Sequence, residues 1–494
     1  MGQIRKQTIQ SSFLTYIGFI IGAINTYFFA RLFTTEQYGL TQVIISISQI
    51  IAPLAVFGMA SYMYRFFPYY SANLTNEKND LLTVAVIGCL AGNLIVFSGC
   101  IIFEPFVVRK FSEKSYLVVK YYYWSLVFSF FFAWFMILES YLGTLRKTVF
   151  PSFMKETVSR ALVLILIGLY ATRVIAFNTF VILFCGIYFV IVLILIGYLI
   201  ISGQLHMPFK FSHVTRRFKK GIASYTGFMY GSIVIHSIAS QISTIVLAGA
   251  KSLGDTGVFA LNQYTAAILQ VPYRSLQVIS GVLIAVHWKN KNLVEIERIY
   301  KRSSINLLLI CLFLFFNIWL NYDDGLRFLH LYDKFSGGKT VFLILSIYNI
   351  LELGTGVNAS LLVTSPAWRF EFYSGVVLLI LSIPLNVFMG RWGGMMGVAY
   401  ATLITFTIYN VVRLIFIHRR FNMWPFSRET LYALAMGTLL YFGISFLLGS
   451  THGLTGIILR SLSFSGGFIA GIYYLHLTPD LPELVHAIKK KIIK

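Results

Sequence analysis

The chain has 494 residues, of which 57% are hydrophobic and 12% charged, with 45 Phe, 30 Tyr and a formal net charge of +22. That much apolar material exceeds what the core of a soluble protein of this length takes up, and it marks a membrane protein. The charge does not indicate a nucleic-acid partner, because Lys and Arg cluster in the short segments between apolar runs.

Apolar tracts long enough to cross a hydrocarbon core of about 30 Å as helices fall at 11–31, 40–63, 81–103, 121–141, 158–174, 177–200, 222–247, 256–282, 303–321, 340–362, 371–390, 394–417, 430–449 and 454–476. These fourteen predict an all-α integral membrane protein. The first tract follows a basic start without a small-residue cleavage site and is read as a retained span, not a signal peptide. With the N-terminus inside, the inner segments hold most of the cations, among them Arg216, Arg217, Lys219, Lys220, Arg419, Arg420, Lys489, Lys490, Lys491 and Lys494. The bias places both termini in the cytoplasm. Only the outer loop 104–120, with Arg109, Lys110, Lys114 and Lys120, runs against it. The longest inner segments, 201–221 and 283–302, are basic and are expected to lie as amphipathic helices on the inner surface. In the second, Leu293, Ile296 and Ile299 recur at helical spacing, as in an interfacial helix or a solvated connector.

A repeat links the halves. RLFTTEQYGLTQVIISISQII from Arg31 lies over GAKSLGDTGVFALNQYTAAIL from Gly249 without a gap, placing Gly39 on Gly257 and, after one inserted residue, Pro53 on Pro272. ILE at 137–139 recurs at 350–352. Spans 1–6 and 7–12 are therefore expected to form equivalent lobes, 1–205 and 206–425, followed by two extra spans and a basic cytoplasmic tail, 426–494.

At about 100° per residue, Gln263, Gln270, Arg274, Gln277 and Gly281 share one stripe of span 8, and Gln42, Ser46, Gln49 and Pro53 share one of span 2. Such polar faces look towards protein or water. Pro53 and Pro272 each remove a backbone donor and are hinge candidates or static kinks. An arginine at mid-span costs about 2.5–3.5 kcal/mol on insertion scales. Arg413, close to His418, Arg419 and Arg420, is expected to snorkel to the inner surface. Arg460 is left open. Arg274, about two turns from His287 on the stripe, is expected to face a cavity, where its planar fork suits a phosphate or pairs with an internal glutamate. Glu139 and Glu352 are the carboxylates expected inside spans, in equivalent positions. They are candidates for coupling to H+ or Na+, or for pairing with a neighbouring cation. His236, near Ser232, is expected as a hydrogen-bonded interior residue.

Cys89, Cys100, Cys185 and Cys311 all fall within spans, and no Cys/His spacing suggests a disulfide framework, zinc or another metal. No Walker, GxSxG or dinucleotide pattern occurs. No cofactor is therefore expected, with H+ or Na+ a candidate coupling ion, and the family resemblance that follows implies a protein that is not an enzyme.

FFARLFTTEQYGLTQ (28–42), FGMASYMYRFFPYYSA (57–72), LGTLRKTVFPSFMKETVSRALVLILIG (142–168) and LNVFMGRWGGMMGVAYAT (385–402) resemble, in order, segments of the polysaccharide-export, Wzx-type flippases of the multidrug/oligosaccharidyl-lipid/polysaccharide (MOP) superfamily. The resemblance implies a MATE-like fold and alternating-access flipping of a polyprenyl-pyrophosphate-linked oligosaccharide from the cytoplasmic to the outer leaflet of a bacterial inner membrane. It implies membrane lipids, a glycan polymerase or glycosyltransferases as partners. In related lipid II flippases, arginines on spans 1, 2 and 8 line the cavity, which carries over to Arg31, Arg65 and Arg274. Many relatives have an Asp late in span 7, where this chain reads QISTIVLAG with Ser243. The alternatives are a multidrug or cation exporter of the same superfamily and a membrane glycan polymerase or ligase.

Overall fold

The structure is a computed structural model that describes residues 2–208, 210–478 and 480, with side chains from residue 17 onward except those of Ser275 and Val278. The basic tail at Lys489, Lys490, Lys491 and Lys494 lies outside the described residues. All fourteen expected tracts are helical, and no strand occurs among the described residues. Among the described residues nine helices are long and apolar enough to cross a membrane, or eleven if each bent pair is one span. The other tracts are α1, whose apolar part is Ile17–Leu32, α9, and the second half of one 53-residue helix. The protein is therefore a multi-pass membrane protein. By compactness it divides into two units, Met1–Gly257 and Val258–Lys494.

The first unit runs α1 (Gly2–Leu32), α2 (Thr35–Val56), α3 (Met59–Asn73), α4 (Leu81–Ile102), α5 (Glu104–Phe111), α6 (Tyr116–Lys120), α7 (Tyr122–Thr144), α8 (Val149–Phe153), α9 (Ser159–Ala171), α10 (Phe177–Cys185), α11 (Ile187–Ile201), α12 (His213–Ala250) and the first turn of α13 (Leu253–Ala267). At its centre α2 packs on α7, α4 and α12. A capping box starts it: the Thr34 hydroxyl accepts from the Gln37 amide and the Gln37 side chain accepts from the Thr34 amide, both at 3.1 Å, satisfying two donors that a helix start leaves orphaned. Phe57 (φ 53°) and Gly58 (φ 73°) then break the chain before α3. The glycine is needed there for space as well as for φ, since a Cβ would lie 2.8 Å from the Thr226 carbonyl oxygen.

Gly39 and Gly257, matched by the sequence repeat, meet in this unit. A Cβ on Gly39 would lie 2.0 Å from the Leu253 carbonyl oxygen, and one on Gly257 would lie 2.2 Å from that of Thr35. The reciprocity is that of a two-fold crossing: only glycine lets the backbones of α2 and α13 approach so closely.

The second unit contains the rest of α13, a 3₁₀ turn at Ile268–Gln270, α14 (Val271–Lys289), α15 (Leu293–Leu320), α16 (Tyr322–Phe328), α17 (Tyr332–Phe335), α18 (Lys339–Gly354), α19 (Asn358–Thr364), α20 (Arg369–Phe421), α21 (Arg428–Leu448) and α22 (Gly453–Tyr474). Here α15 packs on α14, α18 and α21, and α18 packs on α20. Two expected spans merge in α20, which turns at Gly394 (φ 55°, ψ −133°) instead of opening into a loop. A Cβ on nearby Gly397 would lie 1.9 Å from the Met389 carbonyl oxygen.

The expected inner-surface helices do not form as separate elements. Residues 213–221 begin α12, and 283–302 divide between the end of α14 and the start of α15. Within 293–299, Ile296 is fully buried while Leu293 is exposed, because a rigid span that extends past the membrane carries its flanking residues with it.

Candidate functional site

In the first unit, α7 places Glu139 beside Lys155, which lies in a π-helical turn at Met154–Val158, with Nζ 3.4 Å from the carboxylate. The side chains are 29% and 39% exposed, so the pair is partly screened. Gln49 on α2 is exposed, and its Oε1 accepts from Gln241 Nε2 at 2.6 Å. Ser46 is buried. Arg31 ends α1, exposed, donating to the Tyr27 hydroxyl. Arg65 on α3 is exposed, 5.7 Å over the Tyr225 ring. Pro53 is buried inside α2, which continues through it to Val56. His236 is exposed, not interior, with Nδ1 3.2 Å from the Ser232 carbonyl oxygen.

A carboxylate that sequence reasoning missed sits in this unit. Asp80 is fully buried at the start of α4 and accepts from the Ser212 amide (2.9 Å) and the Thr215 hydroxyl (2.7 Å). The Thr215 and Tyr70 hydroxyls are 2.6 Å apart, and Tyr62 donates to Tyr70 at 2.8 Å. The surrounding NEKND reads as a polar loop, so the only signal was that an Asp precedes an apolar helix, as a cap would.

In the second unit, Pro272 occupies the first turn of α14, where a missing amide costs nothing because that donor has no helical partner. The 3₁₀ turn just before it advances the chain by more than an α-helical residue does. The polar stripe of span 8 therefore does not run straight from Gln263 to Gln277, and the span bends by 42° between its segments Leu253–Arg274 and Ile279–Lys289. Gln270 turns towards α18, where its Nε2 donates to Asn349 Oδ1 at 2.7 Å and lies 3.4 Å from both the Tyr348 hydroxyl and Glu352 Oε2. Asn349 in turn donates to the Ala266 carbonyl at 2.9 Å. Gln263 and Gln277 are half-buried, and the Gln277 carbonyl accepts from Ser360 at 3.5 Å.

Arg274 stands apart from this network. Its side chain is exposed, and among the described residues no carboxylate lies within ion-pair distance of it. The nearby Ile279, Val282 and Leu283 are exposed as well. A charge fixed next to apolar surface, with its five donors uncommitted to a protein carboxylate, is suited to gripping an anion that arrives from outside.

Arg413 does not snorkel. Its side chain is 4% exposed and Nη2 lies 3.1 Å from Glu371 Oε2, while the Tyr409 hydroxyl donates to Glu371 Oε1 at 3.0 Å. Arg413 also sits 4.7 Å over the Tyr409 ring. Glu371 comes from the first turn of α20, so the two halves of this long helix fold onto each other and bring acid and base together. Arg460 is likewise buried, hydrogen-bonded to Asp324. Among the described residues no group of His, Cys, Asp and Glu is arranged to hold a metal ion.

Buried polar clusters within apolar helices thus occur in both units. The fold is similar to those of solved flippase and transporter structures. An inward closed conformation of the lipid II flippase MurJ superposes with a TM-score of 0.74 at 17% identity, covering 95% of this chain and 99% of that one. An inward-facing multidrug resistance MATE family transporter of the MOP superfamily gives 0.66 at 13% identity, covering 83% and 94%. A mutant of the Vibrio cholerae MATE transporter VcmN gives 0.54 at 14% identity, covering 85% and 97%. Neither a protein-family model nor a curated protein sequence matches the chain.

Proposed function

We propose that the chain is a Wzx-type flippase that moves a polyprenyl-pyrophosphate-linked oligosaccharide from the cytoplasmic to the outer leaflet of a bacterial inner membrane by alternating access. In this reading it is a transporter and not an enzyme, with two lobes at 1–205 and 206–425, added spans at 426–494, and both termini cytoplasmic. Arg274 carries the reading: an exposed guanidinium in an apolar span, with no protein carboxylate to answer it, suits a pyrophosphate whose hydration must be replaced during transit. Arg31 and Arg65 add charge along the route. Gln49, Gln263, Gln270 and Gln277 serve the sugars, and the breaks beside Pro53 and Pro272 serve as hinges. Of the two coupling candidates Glu352 couples the cycle to H+ or Na+, and Glu139, paired with Lys155, does not.

The test is surface polysaccharide display together with protein abundance. Arg274→Ala is expected to abolish display at normal abundance, and Arg274→Lys to keep part of it, because a lysine retains charge but not the planar fork. Normal display with alanine would remove Arg274 from the site. A cation or drug exporter is favoured by one observation, the Glu352 carboxylate among neutral donors. It predicts drug resistance on expression, unaffected by Arg274→Ala.

A further inference from the structure

A second polar cleft in the Val258–Lys494 unit shares no residue with the groups around Arg274 and Glu352. It has a volume of about 280 Å³ and opens where the end of α15, α16 and the start of α18 meet α21 and α22. Its floor is the Arg460–Asp324 pair, each side chain 8% exposed, with Arg460 Nε also donating to the Gly456 carbonyl at 3.1 Å. His452 Nδ1 lies 3.9 Å from Asp324. On the rim Lys339 is bonded to Asp323 and stands 5.1 Å over the Trp319 ring, whose Nε1 donates to the Tyr441 hydroxyl at 3.2 Å.

The charges do not cancel. Asp324 is matched by Arg460 and Asp323 by Lys339, which leaves Arg327, exposed and 4.6 Å over the Tyr332 ring, with no carboxylate partner among the described residues. His452, 69% exposed, adds a donor that becomes a cation on protonation. The cleft therefore favours an anion. Its flank favours an apolar chain: beside the lining residues Ser445 and Gly449, α21 exposes Phe442, Phe446 and Leu447, Phe446 by 89%. Trp319 and Tyr441 are the residue types that mark the membrane–water boundary.

We propose that this cleft binds the phosphate headgroup of an anionic phospholipid, in the outer leaflet by the charge bias of the loops. Arg327 takes the phosphate oxygens through its fork, His452 adds a donor, and the acyl chains lie along Phe442 and Phe446. The site is independent of what the protein transports.

The test is native mass spectrometry of the purified full chain with phosphatidylglycerol, phosphatidylcholine or inorganic phosphate as probe. The wild type is expected to retain phosphatidylglycerol over phosphatidylcholine, and millimolar phosphate to compete. Arg327→Glu is expected to weaken retention roughly tenfold at unchanged melting temperature, and Arg327→Lys to restore most of it. Equal retention of the two lipids, or unchanged retention in Arg327→Glu, would overturn the site. Binding of inorganic phosphate without preference for phosphatidylglycerol would overturn the lipid as its source.

Discussion

Glu139 and Glu352, each the acid of an ILE triplet, were expected in equivalent spans, yet their surroundings differ. Glu139 stands 3.4 Å from Lys155, both partly exposed. Glu352 stands among the neutral donors Gln270 and Tyr348, and Arg413, a cation of the same unit, is taken by Glu371. A carboxylate already answered by a lysine has little to gain from a proton or Na+, whereas one whose hydrogen-bond partners are neutral and which has no ion pair of its own does. The ILE triplet is the same in both places, and packing decides the surroundings of its acid.

The largest expected effect tests that contrast directly. Glu352→Gln keeps the hydrogen bonding and removes the charge, and should abolish ion-dependent transport in proteoliposomes at unchanged protein level, while Glu139→Gln should leave transport within about twofold. The opposite pattern would invert the comparison. Next comes the cation withheld from Glu352. Arg413→Ala leaves Glu371 buried without its partner and should cost about 3–5 kcal/mol, read as a fall in melting temperature in detergent. Replacing the pair with Met and Leu should recover most of the loss.

A third test asks whether the repeats are equivalent anywhere. Gly39→Ala and Gly257→Ala each press a Cβ onto the partner's carbonyl oxygen, and should cost similar amounts of about 1–3 kcal/mol in thermal unfolding. Unequal costs would mean that the two-fold relation fails at its tightest contact. Asp324 offers a smaller, pH-dependent effect. Burial opposes its ionisation, but the hydrogen bond and charge of Arg460 outweigh burial and hold the carboxyl below its ordinary value. Its contribution should be present above an unfolded pKa of about 3.9 and fade as pH falls through the lower folded value. In melting curves Asp324→Asn should flatten that acid limb. Least of all, Lys155→Ala should cost no more than about 1 kcal/mol, since solvent screens its pair with Glu139.

Much of the architecture was legible along the chain because a span must be a long apolar helix whatever its neighbours are, and all fourteen tracts are helical. That Gly39 and Gly257 meet was not legible, since the sequence only aligned them as counterparts in a repeat, and their backbone approach is set by packing. Nor was the partner of Arg413. Glu371 lies 42 positions away and is brought back only by the turn at Gly394, so proximity to His418 and the basic end of the span suggested the wrong answer. Asp80 was hidden for a related reason, because its partners Ser212 and Thr215 come from another helix start 132 and 135 positions on. The stripe of span 8 was misjudged because a wheel of constant pitch has no place for a 3₁₀ turn, and none of its residues announces one.

By itself, then, the sequence determined the bilayer as solvent, the number of helical tracts and the presence of charges among apolar residues. These follow from the length and polarity of local segments, which hydrocarbon judges one helix at a time. Only the tertiary structure decided which charges are spent and which are available. Arg413 and Arg460 are consumed by acids from distant turns, while Arg274 and Arg327 have no carboxylate within reach among the described residues. Whether a charge in a membrane is structural or functional depends on a distance of a few ångströms to a group elsewhere in the chain, and only folding sets that distance.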